Sequence, residues 1–283
     1  MCPSIIGVWG VRAIYSKTFI ESEQIYPGLN QHHGVPIKNT VASDERVFDI
    51  IGALKRETTV GVTELAEHLD MPKSTVHAHL SAMVDSGYVV QTDSKKYRLS
   101  LQFLDVGMEV REAQAMYDEV VPKLDELAEE TNEKAWWVVE ENGQAVFLAK
   151  SMGSRAIQTN SRIGQHTELY QLAAGMAIFS VLPDGRREGI LESYDFPLPD
   201  GRTREELETE IDEIADRGVA YSAEQFLKGV TGVGAPLTDN SGNVYGAISI
   251  YGPVDRLGDR VENEFTDLVR GISGELRVNL SYQ

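Results

Sequence analysis

Residues 61–89 read GVTELAEHLDMPKSTVHAHLSAMVDSGYV, and this segment carries the strongest structural signal in the chain. Thr63 is a favourable N-cap for a short helix over 64–69, and the residues 70–72 have the composition of a turn. A second helix is predicted over 73–85. Two short helices joined by a tight turn form the pattern of a helix-turn-helix.

The second of these helices is predicted to have one buried side and one exposed side of small residues. Its apolar stripe comprises Val76, Leu80, Met83 and Val84. No carboxylate occurs between Lys73 and Met83, and short side chains that can approach base edges suit a helix that reads the major groove. The candidate DNA-binding residues on this helix are Lys73, Ser74, Thr75, His77, Ala78 and Ser81.

The sequence on either side extends this unit. Upstream, Ser43 is a predicted N-cap of a helix that ends near Lys55. Downstream, Gly87 ends the second helix of the motif, and residues 88–91 and 96–99 are predicted to be the two strands of a hairpin. Such a hairpin is typical of the wing of a winged helix, whose cations contact the phosphates of double-stranded DNA. The candidate cations are Lys95, Lys96 and Arg98.

The rest of the chain predicts an α+β fold with a mixed sheet and helices on its faces. The pattern is helical over 101–130, with Pro122 as a predicted break. Further helices are predicted over 172–182, 204–217 and 259–280, and strands over 135–139, 145–149, 155–159, 232–238 and 244–251. Trp136 and Trp137 alternate along one strand, so we expect one in the core and the other exposed or at an interface.

Charge and composition exclude several classes of protein. The chain of 283 residues has a net charge of −18, and 33 of its 44 acidic residues lie in 104–283. An acidic surface of this kind suggests a halophilic protein. No apolar stretch is long enough for a membrane helix, and the one cysteine excludes a disulfide framework. We therefore expect a cytoplasmic protein. Separately, residues 1–40 show no helical or strand period, and we expect them to form a disordered extension.

The run from residue 41 onward resembles the IclR family of transcriptional regulators. The resemblance is carried by the segment 61–89, by KYRLSLQFLDVGMEV (96–110), and by three later motifs. These motifs are SRIGQHTELYQLAAGMAIFSVLP (161–183), RGVAYSAEQFLKGVTGVGAPL (217–237) and GNVYGAISIYGP (242–253). The resemblance implies a winged helix-turn-helix DNA-binding domain (41–103), a linker helix that helps to pair subunits (104–117) and a GAF-like effector-binding domain (118–283).

The resemblance also implies an effector site. The aligned positions are Ala173, Ala174, Gly175, Ser222, Gly232, Ser249 and Tyr251. Small residues before a buried helix leave backbone amides available to a ligand, and the hydroxyl groups add orientable donors and acceptors. The chain departs from the family at Ala78, where many members carry arginine. It also departs at Gly232, Tyr251 and Met176, where cysteine, serine and lysine are frequent, so the operator and the ligand cannot be carried over.

The function expected from these patterns is that of a ligand-responsive transcription factor, a dimer or tetramer on promoter DNA. Without an obvious charged clamp in the pocket, a sugar or sugar acid is favoured over other small carboxylates as the effector. We find no catalytic motif and expect no enzyme activity, no cofactor and no metal site. An alternative is a metabolite-binding or hydrolytic domain whose N-terminal module docks protein.

Overall fold

The computed structural model of the chain describes residues 42–280. The extension expected over residues 1–40 lies outside the described residues. The described chain begins with three helices and a hairpin and continues into a six-stranded sheet that is covered by helices on both faces. The predicted combination of a helix-turn-helix with an α+β domain is confirmed.

The N-terminal unit contains the predicted helix-turn-helix and its hairpin. Its elements are α1 (Ala42–Arg56), α2 (Val62–His68), α3 (Lys73–Asp85), β1 (Val89–Gln91) and β2 (Tyr97–Leu99). The two strands pair antiparallel, and Val60 adds an isolated bridge to Tyr97. Apolar side chains of the three helices meet in one core, which holds α3 with a single face directed outward. The fully buried members include Ile50, Leu65, Val76 and Leu80.

Two helix starts differ from the predictions. Ser43 lies inside α1, where its hydroxyl donates to Asp44. Thr63 lies in the first turn of α2, and Gly61 is the residue that precedes this helix. The Glu64 carboxylate accepts the Gly61 N–H at 2.9 Å. The N-terminus of α2 is therefore capped by the Glu64 carboxylate, and not by the Thr63 hydroxyl as predicted.

The long helical stretch after the hairpin is broken earlier than predicted. It forms α4 (Gln102–Glu112) and α5 (Tyr117–Thr131), and Met116 between them has a left-handed backbone with φ of 70°. Pro122 lies inside α5 rather than at the break. The Met116 side chain is buried in the core of the following domain. This burial stabilises a conformation that is unfavourable for a residue with a Cβ.

The C-terminal domain is built on one antiparallel sheet with the strand order β5-β4-β3-β8-β7-β6. The strands are β3 (Lys134–Glu141), β4 (Gln144–Met152), β5 (His166–Glu168), β6 (Ala220–Ala223), β7 (Val230–Thr238) and β8 (Val244–Pro253). The short outer strands β5 and β6 were not predicted. The central strands β3 and β8 pair although about a hundred residues separate them, and this pairing positions the site described below.

Helices cover both faces of the sheet. One face packs against α6 (Ala173–Val181) and α8 (Arg204–Arg217), and the other packs against α5 and α10 (Thr266–Leu280). Trp136 is buried on the first face and Trp137 on the second. The expectation that one of them is exposed or at an interface is therefore wrong. A sheet that is covered by helices on both faces buries the side chains on both sides of its central strand.

The connections after the hairpin of β3 and β4 also differ in part from prediction. Residues 155–159 do not form a strand, because their backbone enters a turn in which the Ala156 N–H donates to the Gly153 carbonyl at 3.1 Å. An additional helix, α7 (Asp184–Leu191), follows α6, and a short α9 (Val254–Leu257) and a π-helical turn (Val261–Phe265) precede α10. The predicted cap of α8 is confirmed, with Thr203 accepting the Glu206 N–H and Gly218 ending the helix.

None of the helices within residues 42–280 combines the length and the apolar character that crossing a membrane requires.

Candidate functional site

The exposed face of α3 carries the residues predicted to contact DNA. Lys73, Ser74, His77 and Ala78 are exposed, and Thr75 and Ser81 are half-buried beside them. The face is held outward because Val76, Leu80 and Met83 are buried on the opposite side of the helix. The nearest acidic residue within α3 is Asp85, at its last position. A phosphate-lined groove would therefore meet no carboxylate of α3 along the first three turns of the helix.

The small polar groups of this face interact little with each other. The Ser81 hydroxyl and the His77 Nδ1 are 3.5 Å apart, which is the limit of a hydrogen bond. Donors and acceptors that are not committed within the protein remain available for base edges and for bridging water. The arrangement favours direct reading of a duplex groove by α3.

The hairpin places its three cations differently. Lys95 is exposed at the turn, with a left-handed backbone, and Arg98 is exposed on β2. Lys96 forms an ion pair with Glu64 of α2 at 3.6 Å. The Gly61 N–H, followed by the charge of Lys96, lowers the pKa of Glu64. Among the described residues, Lys95 and Arg98 form no ion pair, although the Arg98 guanidinium donates to the Leu99 carbonyl at 3.1 Å. The charge of Lys96, by contrast, is partly compensated.

The residues of the implied effector site come together beneath the N-terminus of α6. Register places Ser222, Gly232, Tyr251 and Lys134 side by side on four adjacent strands. The next row of the same face contains Gly234, Ser249 and Trp136. Because residues directly opposite each other on paired strands share a face, all of these positions are directed toward α6.

Tyr251 is the centre of this cluster. Its hydroxyl oxygen accepts the N–H of Ala174 at 3.4 Å, and Ala173, Ser222 and Ser249 are its other polar neighbours. Burial raises the pKa of Tyr251 to about 12, so its hydroxyl is protonated at neutral pH. The phenol therefore has a proton to donate to a ligand, to Ser222 or to Ser249.

Glycines allow the sheet to approach α6 and Tyr251 closely. A Cβ at Gly232 would lie 2.4 Å from Cδ1 of Tyr251, and one at Gly234 would lie 2.9 Å from the Ala174 nitrogen. A Cβ at Gly175 would lie 2.1 Å from the Leu169 carbonyl oxygen. Gly175 is thus required for packing of α6 against the preceding turn, whereas Gly232 makes room for an aromatic ring at the site.

Ser249 stands out among the buried polar groups. The residue is 0% exposed, and its hydroxyl has no hydrogen-bond partner among the described residues. Buried hydroxyl groups are nearly always satisfied, since leaving one unpaired costs about 1–3 kcal/mol. The Tyr251 phenol is a polar neighbour of the Ser249 hydroxyl, which is available to a ligand or a water molecule beside Tyr251.

A small cavity of about 30 Å³ lies next to this cluster. Its wall is mostly aromatic and aliphatic, with Trp136, Phe147, Phe226 and the ring of Tyr251. Residues of 157–161 and 226–230, none of them among the named candidates, also contribute to the lining. The second of these segments lies within the motif 217–237. An apolar cavity with a few polar groups is the usual form of a small-molecule site.

The sequence analysis missed Lys134, which also lines the cavity. Lys134 is 3% exposed, and its ammonium group donates a hydrogen bond to the Thr159 hydroxyl at 2.8 Å. The expectation of a pocket without a charged group is therefore wrong. The period-2 pattern of β3 placed Lys134 on the face of Trp136, but only the pairing of β3 with β8 brings it opposite Tyr251.

Among the described residues, no group of three or more His, Cys, Asp or Glu side chains is placed to hold a metal ion. His77 is exposed and His79 is half-buried on α3.

Two family models match the chain. The model described as the IclR helix-turn-helix domain matches residues 44–93, and the one described as bacterial transcriptional regulator IclR C-terminal matches residues 109–277. A Halobacterium salinarum protein named "Probable HTH-type transcriptional regulator ArcR" is 30% identical over 77% of this chain and 85% of its own length. The transcriptional regulator KdgR of Escherichia coli is 26% identical over 86% of this chain and 94% of its own length.

Solved structures have the same fold. The crystal structure of Thermotoga maritima IclR superposes with a TM-score of 0.70 at 23% identity, over 84% of this chain and 98% of that one. An IclR homolog from Microbacterium hydrocarbonoxydans, complexed with 4-hydroxybenzoate, superposes with a TM-score of 0.67 at 18% identity. The alignment with that homolog covers 83% of this chain and 99% of the other.

Proposed function

Because the chain belongs to the IclR family of transcriptional regulators, we propose that it holds promoter DNA through α3 and the β1–β2 hairpin under the control of a small metabolite bound beneath α6. It is a DNA-binding regulator with a C-terminal effector domain and not an enzyme. The hydrolytic alternative is therefore set aside. The single observation that carries the DNA-binding part of the proposal is the exposed face of α3, which has no carboxylate before Asp85.

We assign separate roles to the candidate DNA-binding residues. Ser74, Thr75, His77, Ala78 and Ser81 face the base edges, and Lys73, Lys95, Lys96 and Arg98 face the phosphates. Short side chains on α3 support the first role, because they allow the helix to approach the floor of the major groove. Ala78 offers a methyl group in place of a long donor, which suits contact with a thymine methyl.

The effector site comprises Ala173, Ala174, Gly175, Ser222, Gly232, Ser249 and Tyr251 in this proposal. It is supported by the polar groups of Ala173, Ala174, Ser222 and Ser249, which surround the Tyr251 hydroxyl, and by the complete burial of Ser249. The relative complexed with 4-hydroxybenzoate supports a small organic ligand for this fold. We propose a metabolite of a catabolic pathway, a sugar, a sugar acid or a small carboxylate, that shifts the protein between two arrangements of its DNA-binding units.

Self-association completes the proposal. Large apolar side chains are exposed on α1 and around the start of α4, with Phe48 at 71%, Leu101 at 76% and Leu104 at 60%. Exposed apolar side chains of this size support a protein interface. Two helix-turn-helix units in one dimer would match two half-sites of an operator. We therefore divide the chain into a DNA-binding domain (41–103), a linker helix (104–117) and an effector domain (118–283), and we place its action in the cytoplasm with the chromosome.

Footprinting on the DNA upstream of the protein's own gene and its neighbours tests the proposal. We expect a protected, partly palindromic site for the wild-type protein in buffers from low to high potassium. The triple substitution Ser74→Ala, Thr75→Ala and His77→Ala should abolish protection, because it removes the polar groups that face the bases. Ser43→Ala on α1 is the control.

The variants must retain their helical circular dichroism for the comparison to hold. Protection that survives the triple substitution in a folded protein would refute the role of α3. Absence of protection on every fragment at every salt concentration would refute the regulator proposal for these promoters.

A further inference from the structure

Lys134 is a buried cation without a counter-ion. Lys134 is 3% exposed. Among the described residues, its ammonium group makes one hydrogen bond, to the Thr159 hydroxyl. No ion pair of the described chain includes it. The neighbouring acid, Glu133, is held by Arg256, with the Nε of Arg256 2.6 Å from Oε1 of Glu133. Lys134 thus has no carboxylate with which to share its charge.

This arrangement is unfavourable for the protein alone. Burial, and then the charge of Lys150 on the adjacent strand, lowers the pKa of Lys134. A buried charge is normally paired, because desolvation of an unpaired ammonium costs several kcal/mol. An ammonium carries three donors, and Thr159 uses only one of them. Within residues 42–280, the remaining donors have no hydrogen-bond partner.

The residues around Lys134 indicate the chemistry of a partner for its ammonium group. Lys134 lines the cavity together with Thr159, Ser161 and the aromatic side chains of Trp136, Phe147 and Tyr251. The described residues that line this cavity include no acidic side chain. A ligand that pairs with the ammonium must therefore bring its own negative charge. The cavity is narrow, so a small molecule is favoured and the lining has to open around it.

We propose that Lys134 selects the effector by binding its carboxylate, so that the ligand is a short-chain organic acid rather than a neutral sugar. This inference rests on the proposed effector site beneath α6. The carboxylate takes the unused donors of Lys134, and the body of the acid lies between the Trp136 and Tyr251 rings toward Ser249. Binding supplies the charge that the folded protein lacks.

Pairs of an acid with its uncharged amide test this inference. The probes are acetate and acetamide, propionate and propionamide, and benzoate and benzamide, each titrated into the full-length protein by calorimetry. We expect at least one short acid to bind and its amide to bind about tenfold to a hundredfold more weakly, because a hydrogen bond to a charged group is lost. Benzoate tests the size limit.

Three variants separate recognition from folding. Lys134→Met should lose the preference for the acid while its melting temperature stays equal or rises, because an unpaired buried charge has been removed. Lys134→Arg should retain part of the preference. Lys55→Met, which removes an exposed ammonium in the last turn of α1 and does not line the cavity, should bind as wild type does.

The outcomes distinguish this inference from the proposed function. Loss of acid binding in Lys134→Met with promoter protection unchanged supports it. Equal affinity for acids and amides, binding of acids by Lys134→Met as tightly as by wild type, or no acid binding in the whole panel would overturn it. None of those calorimetric results bears on promoter protection, so the regulator function is tested independently by footprinting.

Discussion

Gly232 and Tyr251 face each other on adjacent strands, and their identities depend on each other. A Cβ at position 232 would overlap the tyrosine ring, since it would lie 2.4 Å from Cδ1. The IclR family, to which the chain belongs, frequently has cysteine and serine at these two positions. The two departures are therefore one structural change, in which a small residue on β7 makes room for an aromatic ring on β8.

Substitution of Gly232 by alanine tests this dependence. We expect Gly232→Ala to lower the free energy of unfolding by about 1–3 kcal/mol, because the new methyl group displaces the Tyr251 ring. Tyr251→Ser should cost less in the Gly232→Ala background than alone, because the clash with the ring is relieved. The relief is partial, since the Ile250 carbonyl oxygen would still lie 2.6 Å from the new Cβ. Chemical denaturation of the two single variants and the double variant gives the coupling energy. Additive effects would show that the two positions are independent.

At the scale of the element, the sequence predicts best where the signal is local. The limits of α3 and α8 follow from residues at their own ends, such as Pro72 before α3 and the Thr203 cap with Gly218 around α8. The break at Met116 was missed because it depends on burial in a distant core. Lys134 was missed for the same reason, since its role depends on a strand pairing across about a hundred residues.

The contact between α2 and the wing leads to a second prediction. Glu64 compensates part of the charge of Lys96. We expect Glu64→Gln to tighten DNA binding at low salt and to steepen the dependence of log K on log salt by up to about one unit, because Lys96 becomes free to contact a phosphate. Glutamine retains an acceptor for the Gly61 N–H, so the start of α2 is preserved.

Fluorescence anisotropy with labelled operator DNA at several potassium concentrations measures this change. Glu67→Gln is the matched control, because it removes the same charge from an exposed position on the same helix. If both variants steepen the salt dependence equally, the effect arises from net charge and the ion pair has no specific role.

At the scale of the whole molecule, charge is segregated along the chain. The segment 104–283 carries most of the acidic residues, whereas the helix-turn-helix unit is close to neutral. The acidic part repels a duplex, which leaves the small N-terminal unit as the surface that DNA can approach. Binding at high salt concentration would then depend more on groove contacts than on phosphate contacts, because salt screens the latter.

The exposed apolar side chains around the start of α4 bear on the proposed self-association. We expect Leu101→Asp with Leu104→Asp to lower the mass of the proposed assembly, because two charges would be buried in the interface. Light scattering after size-exclusion chromatography measures the mass, and promoter affinity should fall with it because two half-sites are no longer bound together. Val278→Asp, a comparably exposed apolar position on α10, should leave the mass unchanged. A wild-type protein that is monomeric at micromolar concentration would contradict this assignment.

The adjacent tryptophans of β3 give the protein an intrinsic optical reporter. Trp136 lines the cavity, with the Lys150 ammonium 5.6 Å from its ring centroid, while Trp137 is enclosed on the far side of the sheet, where its indole N–H donates to the Tyr245 carbonyl. Ligand entry would change the emission of Trp136 over the background emission of the other two tryptophans, Trp137 and Trp9. Occupancy of the cavity can thus be followed by intrinsic tryptophan fluorescence, and Trp136→Phe is the control variant that lacks the responding indole.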